Sequence, residues 1–175
     1  ELPSDIKNVK SILFNSQEAA YLVGLIAGKM TETNNVGFIG GMDIPVIDTF
    51  KYGYMAGVKK ANSNVQIQDQ SANSFTDQAK GKAIANQMYG QGADIIFIAG
   101  GDVGTGAIEA AKEKNKYAIG VDRDQSDLAP KNVLTSAIKR VDVGVYETVK
   151  DLLDGKFEGG TVTVYGLDQD AVGIA

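Results

Sequence analysis

The chain has 175 residues, 22 acidic and 17 basic side chains, a formal net charge of −5, and no Cys, His or Trp. These absences exclude a disulfide framework, a thiol nucleophile, an imidazole acid/base and an ordinary zinc site. An acidic chain is also a poor partner for nucleic acid, whose phosphates are bound mainly through Lys and Arg.

In chain order, short β-branched or apolar runs alternate with amphipathic helical periods. The first strand is expected over residues 9–14. A helix follows, with Asn15 and Glu18 as an N-cap pair and Ala19, Leu22, Val23, Ile26, Ala27 and Met30 as its inward stripe. Its apolar run, 19–28, is shorter than the about 20 residues a membrane span needs, so it reads as a buried helix. Strand 36–39 runs into Gly40-Gly41, and a helix over 47–61 turns Ile47, Phe50, Tyr54 and Val58 inward. Strand 65–68 precedes a helix opening at the capping-box pattern Ser74-x-x-Asp77 and running to Tyr89. Strand 93–99 closes on Gly100-Gly101, and a helix follows Gly104-Thr105-Gly106, with Ile108 and Ala111 inward. Strand 117–121 ends at Asp122, and strand 133–138 at Lys139-Arg140. A helix over 141–153 puts Val141, Val145, Val149 and Leu152 on one face, and the last strand is 161–165.

Repeated strand–helix order predicts an α/β fold, a parallel sheet with helices on both faces. In such sheets ligands bind beyond the carboxyl ends of the strands. The candidate segments are therefore 40–45, 73–77, 100–106, 122–124 and 138–140.

Within them, Gly101-Asp-Val-Gly104-Thr-Gly106 approximates a dinucleotide fingerprint, with Asp122 as the ribose-holding acid. Glu109 stands where Gly or Ala belongs, and Asp102 adds charge to the loop, so a tight turn needing glycine explains it better. Asp122, at a strand end, either accepts from vicinal sugar hydroxyls or caps a turn; Asp124 reads as the turn cap. Lys139 and Arg140 read by pattern as two solvated cations before a helix, although Lys139 could pair with Asp122 or donate to a hydroxyl. Phe75 either packs on the helix start or offers a stacking face. Asp122, Asp124 and Asp127 lack the glycine and distal Glu of a calcium loop, and Ser4/Lys7 and Ser136/Lys139 lack the geometry of a nucleophile–base pair. No metal, cofactor or catalytic residue is expected.

The stretch Val36-Gly-Phe-Ile-Gly-Gly-Met-Asp-Ile-Pro-Val-Ile47, with Phe50 and Gly53-Tyr54, resembles the basic membrane protein family. These are substrate-binding lipoproteins of ABC transporters, of the purine nucleoside receptor type. Ser74-Phe75-Thr76-Asp77, Gln91-Gly92-Ala93-Asp94, Gly120-Val121-Asp122-x-Asp124-Gln125, Leu134-Thr135-Ser136 and Lys139-Arg140-Val141-Asp142 agree in the same order. The resemblance covers essentially the whole chain. It implies a type I periplasmic-binding-protein fold, mostly one lobe of two, and no enzymatic activity.

It also implies recognition of a purine nucleoside such as inosine, adenosine or guanosine. Phe75 would stack on the base, the Gly100 backbone would lie along the ligand, and Asp122 and Lys139 would hold the ribose. Residues 1–15 would be the last strand of a truncated N-terminal lobe and 16–137 the ligand-binding lobe. Residues 138–158 would be a crossover and helix that pack on the missing lobe, and 159–175 a returning strand and tail. The implied setting is extracytoplasmic, lipid-anchored in the full-length protein, with an ABC permease as partner and an exposed lobe surface open to self-association. Two rivals share the pattern: an NAD-dependent enzyme fragment using 101–106 and Asp122, and the effector lobe of a transcription regulator.

Overall fold

Each of the seven expected strands is present in the computed structural model, which describes residues 6–175. Ser4 therefore lies outside the described residues. The elements are β1 (Ser11–Phe14), α1 (Ser16–Met30), β2 (Asn35–Gly40), α2 (Pro45–Ala61), β3 (Gln66–Ser71), α3 (Gln78–Gly90), β4 (Ile95–Ala99), α4 (Asp102–Lys114), β5 (Tyr117–Asp122), β6 (Val133–Lys139), α5 (Val141–Leu153), β7 (Val162–Tyr165) and β8 (Val172–Ile174). The main sheet has the order β3-β2-β4-β5-β6-β8. Its first five strands are parallel, and β8 joins β6 antiparallel, pairing Ala137 with Ile174 and Lys139 with Val172. The sheet is thus mixed at one edge, where an all-parallel one was expected. The three-residue β8 carries no periodicity long enough to read.

β4 is buried at every position, as a strand covered on both faces must be. Helices α1 and α2 cover one face, where Phe38, Phe50, Tyr54 and Phe97 meet. The Phe97 ring lies 5.2 Å from Tyr54 and 5.6 Å from Phe38, centroid to centroid. Helices α3 and α4 cover the other face, over Ile39, Ile96, Ile98 and Ile108. β3 is half-exposed and rich in Gln, as its edge position allows.

The inward face of α1 differs from the expected stripe. Ala19, Ala20, Val23, Gly24, Ala27 and Gly28 are buried, while Leu22 and Ile26 are half-buried and Met30 is exposed. The small residues win because α1 and α2 nearly touch. A Cβ on Gly57 would run into the Tyr21 carbonyl oxygen and lie 2.9 Å from Leu25 N, and one on Gly28 would lie 2.7 Å from Val58 O. Close backbone approach replaces large side chains as the packing device.

Helix starts shift for similar local reasons. Asn15 does not cap α1 with its side chain; its amide donates to Glu18 Oε1 (3.1 Å), and Glu18 Oε2 accepts from Leu167 N–H (2.7 Å). α2 starts two residues earlier than expected, at Pro45, a residue suited to the first helical turn. Ser74 does not open α3. Its hydroxyl accepts from the N–H groups of Thr76 and Asp77 in a preceding turn, and Asp77 caps the helix by accepting from Lys80 N–H (2.9 Å).

At the amino end of the strands, Asp94 is buried and accepts from Thr31 Oγ1 (2.7 Å), Glu32 N–H (2.7 Å) and Thr33 N–H (3.0 Å). That carboxylate ties the end of α1 to the start of β4, at the pole opposite the crevice described below. β1 and β7 pair in a separate two-stranded parallel sheet, with α5 against it. Gly144 of α5 lies over Ile12 and Phe14 there. No helix among the described residues is long and apolar enough to cross a membrane.

Candidate functional site

β2 and β4 are neighbours although β3 lies between them in sequence, so the winding of the main sheet reverses at this pair. Open α/β sheets form their ligand crevice at such a point, beyond the strand ends. Here the strand ends are Gly40-Gly41 and Gly100-Gly101, and Phe75, from the loop between β3 and α3, lies over them.

The glycines make the room. A Cβ on Gly41 would overlap Cδ1 and Cε1 of the Phe75 ring and sit 3.1 Å from Gly100 Cα; a Cβ on Gly101 would lie 2.8 Å from Phe75 O. Gly101 also has φ +58°, a conformation that glycine adopts without strain. Phe75 is fixed through the backbone on both sides. Ser74 N–H donates to Gly41 O and Asp102 N–H to Phe75 O, each at 2.8 Å. The ring is half-buried, with one part packed on the core around Phe97 and the rest facing a cavity.

Across that cavity stands an ion pair. β5 and β6 are in register at Asp122 and Ile138, and Lys139 Nζ sits 2.8 Å from Asp122 Oδ1. Asp122 has φ +67°, and Arg123 N–H donates to Val121 O at 2.8 Å. This is a γ-turn of the rare positive-φ kind, a strained conformation of the sort that clusters at functional sites. The pair is partly exposed, so it contributes at most about 1 kcal/mol to stability. Strain beneath a cavity-lining carboxylate makes Asp122 a candidate ligand contact.

Phe75, Gly100, Asp122 and Lys139 line one cavity of about 290 Å³, with Val46, Ile47 and Phe50 of α2 along its apolar side. The structure thus brings all four sequence-predicted site residues together. Of the α2 wall, Phe50, expected as core, serves as both: it is buried and lines the cavity. Gly41 lay in a candidate segment, but its role in seating Phe75 needs a contact between distant loops. The cavity combines a ring face, an apolar wall, and a carboxylate beside a cation. That set suits a flat apolar ring bearing a hydroxyl-rich substituent.

Other candidates fall outside it. Asp124 Oδ1 accepts from Ser126 N–H (2.9 Å), and this bond holds its carboxyl below the usual range; it is a turn cap. Arg140 pairs with Asp170 at 2.9 Å, not with the cavity. Gly104 and Gly106 do not form a phosphate loop. α4 starts at Asp102, so both are buried inside the helix, and Gly106 lies against the backbone of Gln78. They serve helix packing, and the dinucleotide reading falls with them.

Comparisons with known proteins agree with this fold. The family model described as "ABC transporter substrate-binding protein PnrA-like" (Bmp) matches residues 2–175. "Basic membrane protein D" of Borreliella burgdorferi (strain JD1) is 46% identical over 171 residues, covering 96% of this chain and 50% of that protein. "ABC transporter nucleoside-binding protein BmpA" of Lactococcus lactis subsp. cremoris (strain MG1363) is 42% identical over 187 residues, covering 97% of this chain and 53% of that protein. The crystal structure of an ABC transporter solute-binding protein from Aeropyrum pernix K1 matches with a TM-score of 0.88 at 34% identity, over 97% of this chain and 50% of that one. The chain spans about half the length of the curated relatives it matches. A strand-end crevice on a periplasmic-binding-protein fold and a family match over nearly every residue lead to one assignment: the chain belongs to the Bmp family of PnrA-like ABC transporter substrate-binding proteins, a family of receptors and not of enzymes.

Proposed function

We propose that this chain is the ligand-gripping lobe of a purine nucleoside receptor. The observation that carries the reading is the single cavity at the switch point, shared by Phe75, Gly100, Asp122 and Lys139. In this reading the base stacks on Phe75 and passes along the Gly100 backbone. Asp122 accepts from the vicinal ribose hydroxyls, and Lys139 donates to one of them, so the existing ion pair opens into charge-assisted bonds with ligand. Inosine, adenosine and guanosine all present this combination.

The lobe division follows the two sheets. Residues 16–139, with β8 returning to the same sheet, form the gripping lobe. β1, α5 and β7, which pair apart from the main sheet, belong to a second lobe whose closure an ABC permease senses. The whole protein works outside the cytoplasm, held to the membrane by a lipid anchor. The valines of α5, each about half exposed, support self-association when the second lobe is incomplete.

Calorimetric titration of inosine tests the reading. The 175-residue chain offers one stacking face, so it is expected to bind in the millimolar range, about −4 kcal/mol, while the complete protein binds at least a hundredfold tighter. Equal affinity for the two would overturn the half-site argument. No binding of any purine nucleoside by the complete protein would overturn the function.

A further inference from the structure

The γ-turn at Asp122 is held on one side by β6, which pairs with Val121 and Asp122, but not on the other side by β4. β4 pairs with β5 only as far as Phe97 with Ile119. In a strand every second N–H faces the same neighbour. Tyr117 N–H donates to Asp94 O on the β4 side, so the Val121 N–H faces that side too, beyond the last ladder pair. Splaying of β4 from β5 opens the crevice and strips Val121 of its ladder partner.

The side chain of Gln125 replaces it. Gln125 is buried, and its Oε1 accepts from Val121 N–H at 2.8 Å. Its own N–H donates to Ser136 Oγ at 3.1 Å, and Ser136 is fully buried on β6. Gly120 leaves the space, since a Cβ there would lie 2.5 Å from Ser136 Oγ and 2.7 Å from Gln125 Oε1. Lys139 stands on the same strand three residues after Ser136. Both partners of the ion pair are therefore referenced to β6: Lys139 directly, and Asp122 by its ladder pairing with Ile138 on one side and, on the β4 side, through Val121, Gln125 and Ser136. Gln125 itself does not line the Phe75 cavity.

We infer that Gln125 is a positioning residue for ligand recognition: by capping the Val121 N–H it holds the Asp122 turn, and so sets the receptor's preference for a ligand with vicinal hydroxyls. The inference rests on the nucleoside reading above and deepens it. Its test compares inosine with 2′,3′-dideoxyinosine, which lacks both hydroxyls, in the complete protein. Gln125→Met removes the acceptor at similar volume. It is expected to lower the preference for inosine about tenfold while changing dideoxyinosine affinity less than about twofold. Gln125→Glu, which keeps an oxygen for the Val121 N–H, restores the preference to within about threefold of wild type. A purely structural role would weaken both ligands equally, and an unchanged ratio in Gln125→Met would overturn the inference. Should Gln125→Met not fold, Ser136→Ala supplies the same comparison, with about a threefold loss of preference expected and an unchanged ratio decisive against it. If wild type discriminates, Asp122→Asn abolishes the discrimination and Gln125→Met keeps it, the inference fails and the nucleoside reading stands. If wild type does not discriminate, the reading itself fails and takes the inference with it.

Discussion

Helices α2 and α5 have similar amphipathic patterns and opposite fates. α2 buries Ile47, Phe50, Tyr54 and Val58 against the main sheet and α1. α5 has an equally regular stripe, yet Val141, Val145 and Val149 are each 49% exposed and Leu152 60%. Only Gly144 of α5 is buried. The difference lies in what each meets: a six-stranded sheet in one case, a two-stranded one in the other. A helical period states which face seeks burial. Whether that face finds a partner depends on residues far away in sequence.

Substitutions in the two regions should separate them sharply. The largest effect is expected in the α2-side core, where Phe97 touches Phe38, Phe50 and Tyr54. Phe97→Ala should cost about 4 kcal/mol in urea unfolding through lost burial and the cavity left behind; a cost below about 1 kcal/mol would contradict the core described here. Next comes the α1–α2 contact. In an open helix Gly57→Ala would gain up to about 1 kcal/mol from helix propensity. Here the new methyl meets the backbone of Tyr21 and Leu25, which cannot give way cheaply. A net loss of about 2 kcal/mol is expected, and stabilisation would show the helices to lie farther apart. The smallest effect belongs to α5. Leu152→Ser should change monomer stability by no more than about 0.5 kcal/mol, yet lower any self-association seen in sedimentation velocity. A large loss of monomer stability would mean that the α5 face is already covered.

The same contrast separates the two poles of the main sheet. At the amino end, Asp94 takes three hydrogen bonds and locks α1 to β4. At the carboxyl end, β4 and β5 part after Ile119, leaving room for Phe75 on one side and the Asp122–Lys139 pair on the other. One pole is saturated with internal bonds, and the other keeps charged and aromatic groups facing a cavity. That asymmetry is what the proposed receptor lobe requires.

Much of this was legible in the residues. Alternating apolar runs and helical periods predict the strand–helix order, because side-chain direction repeats every two or 3.6 residues whatever the rest of the chain does. Glycine pairs after β2 and β4 mark the turns, and the ordered family motifs pointed to Phe75, Gly100, Asp122 and Lys139. Three matters were settled only by the tertiary structure. The inward face of α1 is set by glycines on both α1 and α2, not by its own largest side chains. β1 and β7 leave the main sheet for each other while β8 joins it, a choice made by pairing across long sequence separations. And Gln125, three residues past a strand end, supplies the hydrogen bond that β4 no longer offers. Periodicity is a short-range property and is written in the sequence, whereas close approach, strand partnership and the satisfaction of a stranded backbone N–H are long-range properties that exist only once distant segments meet.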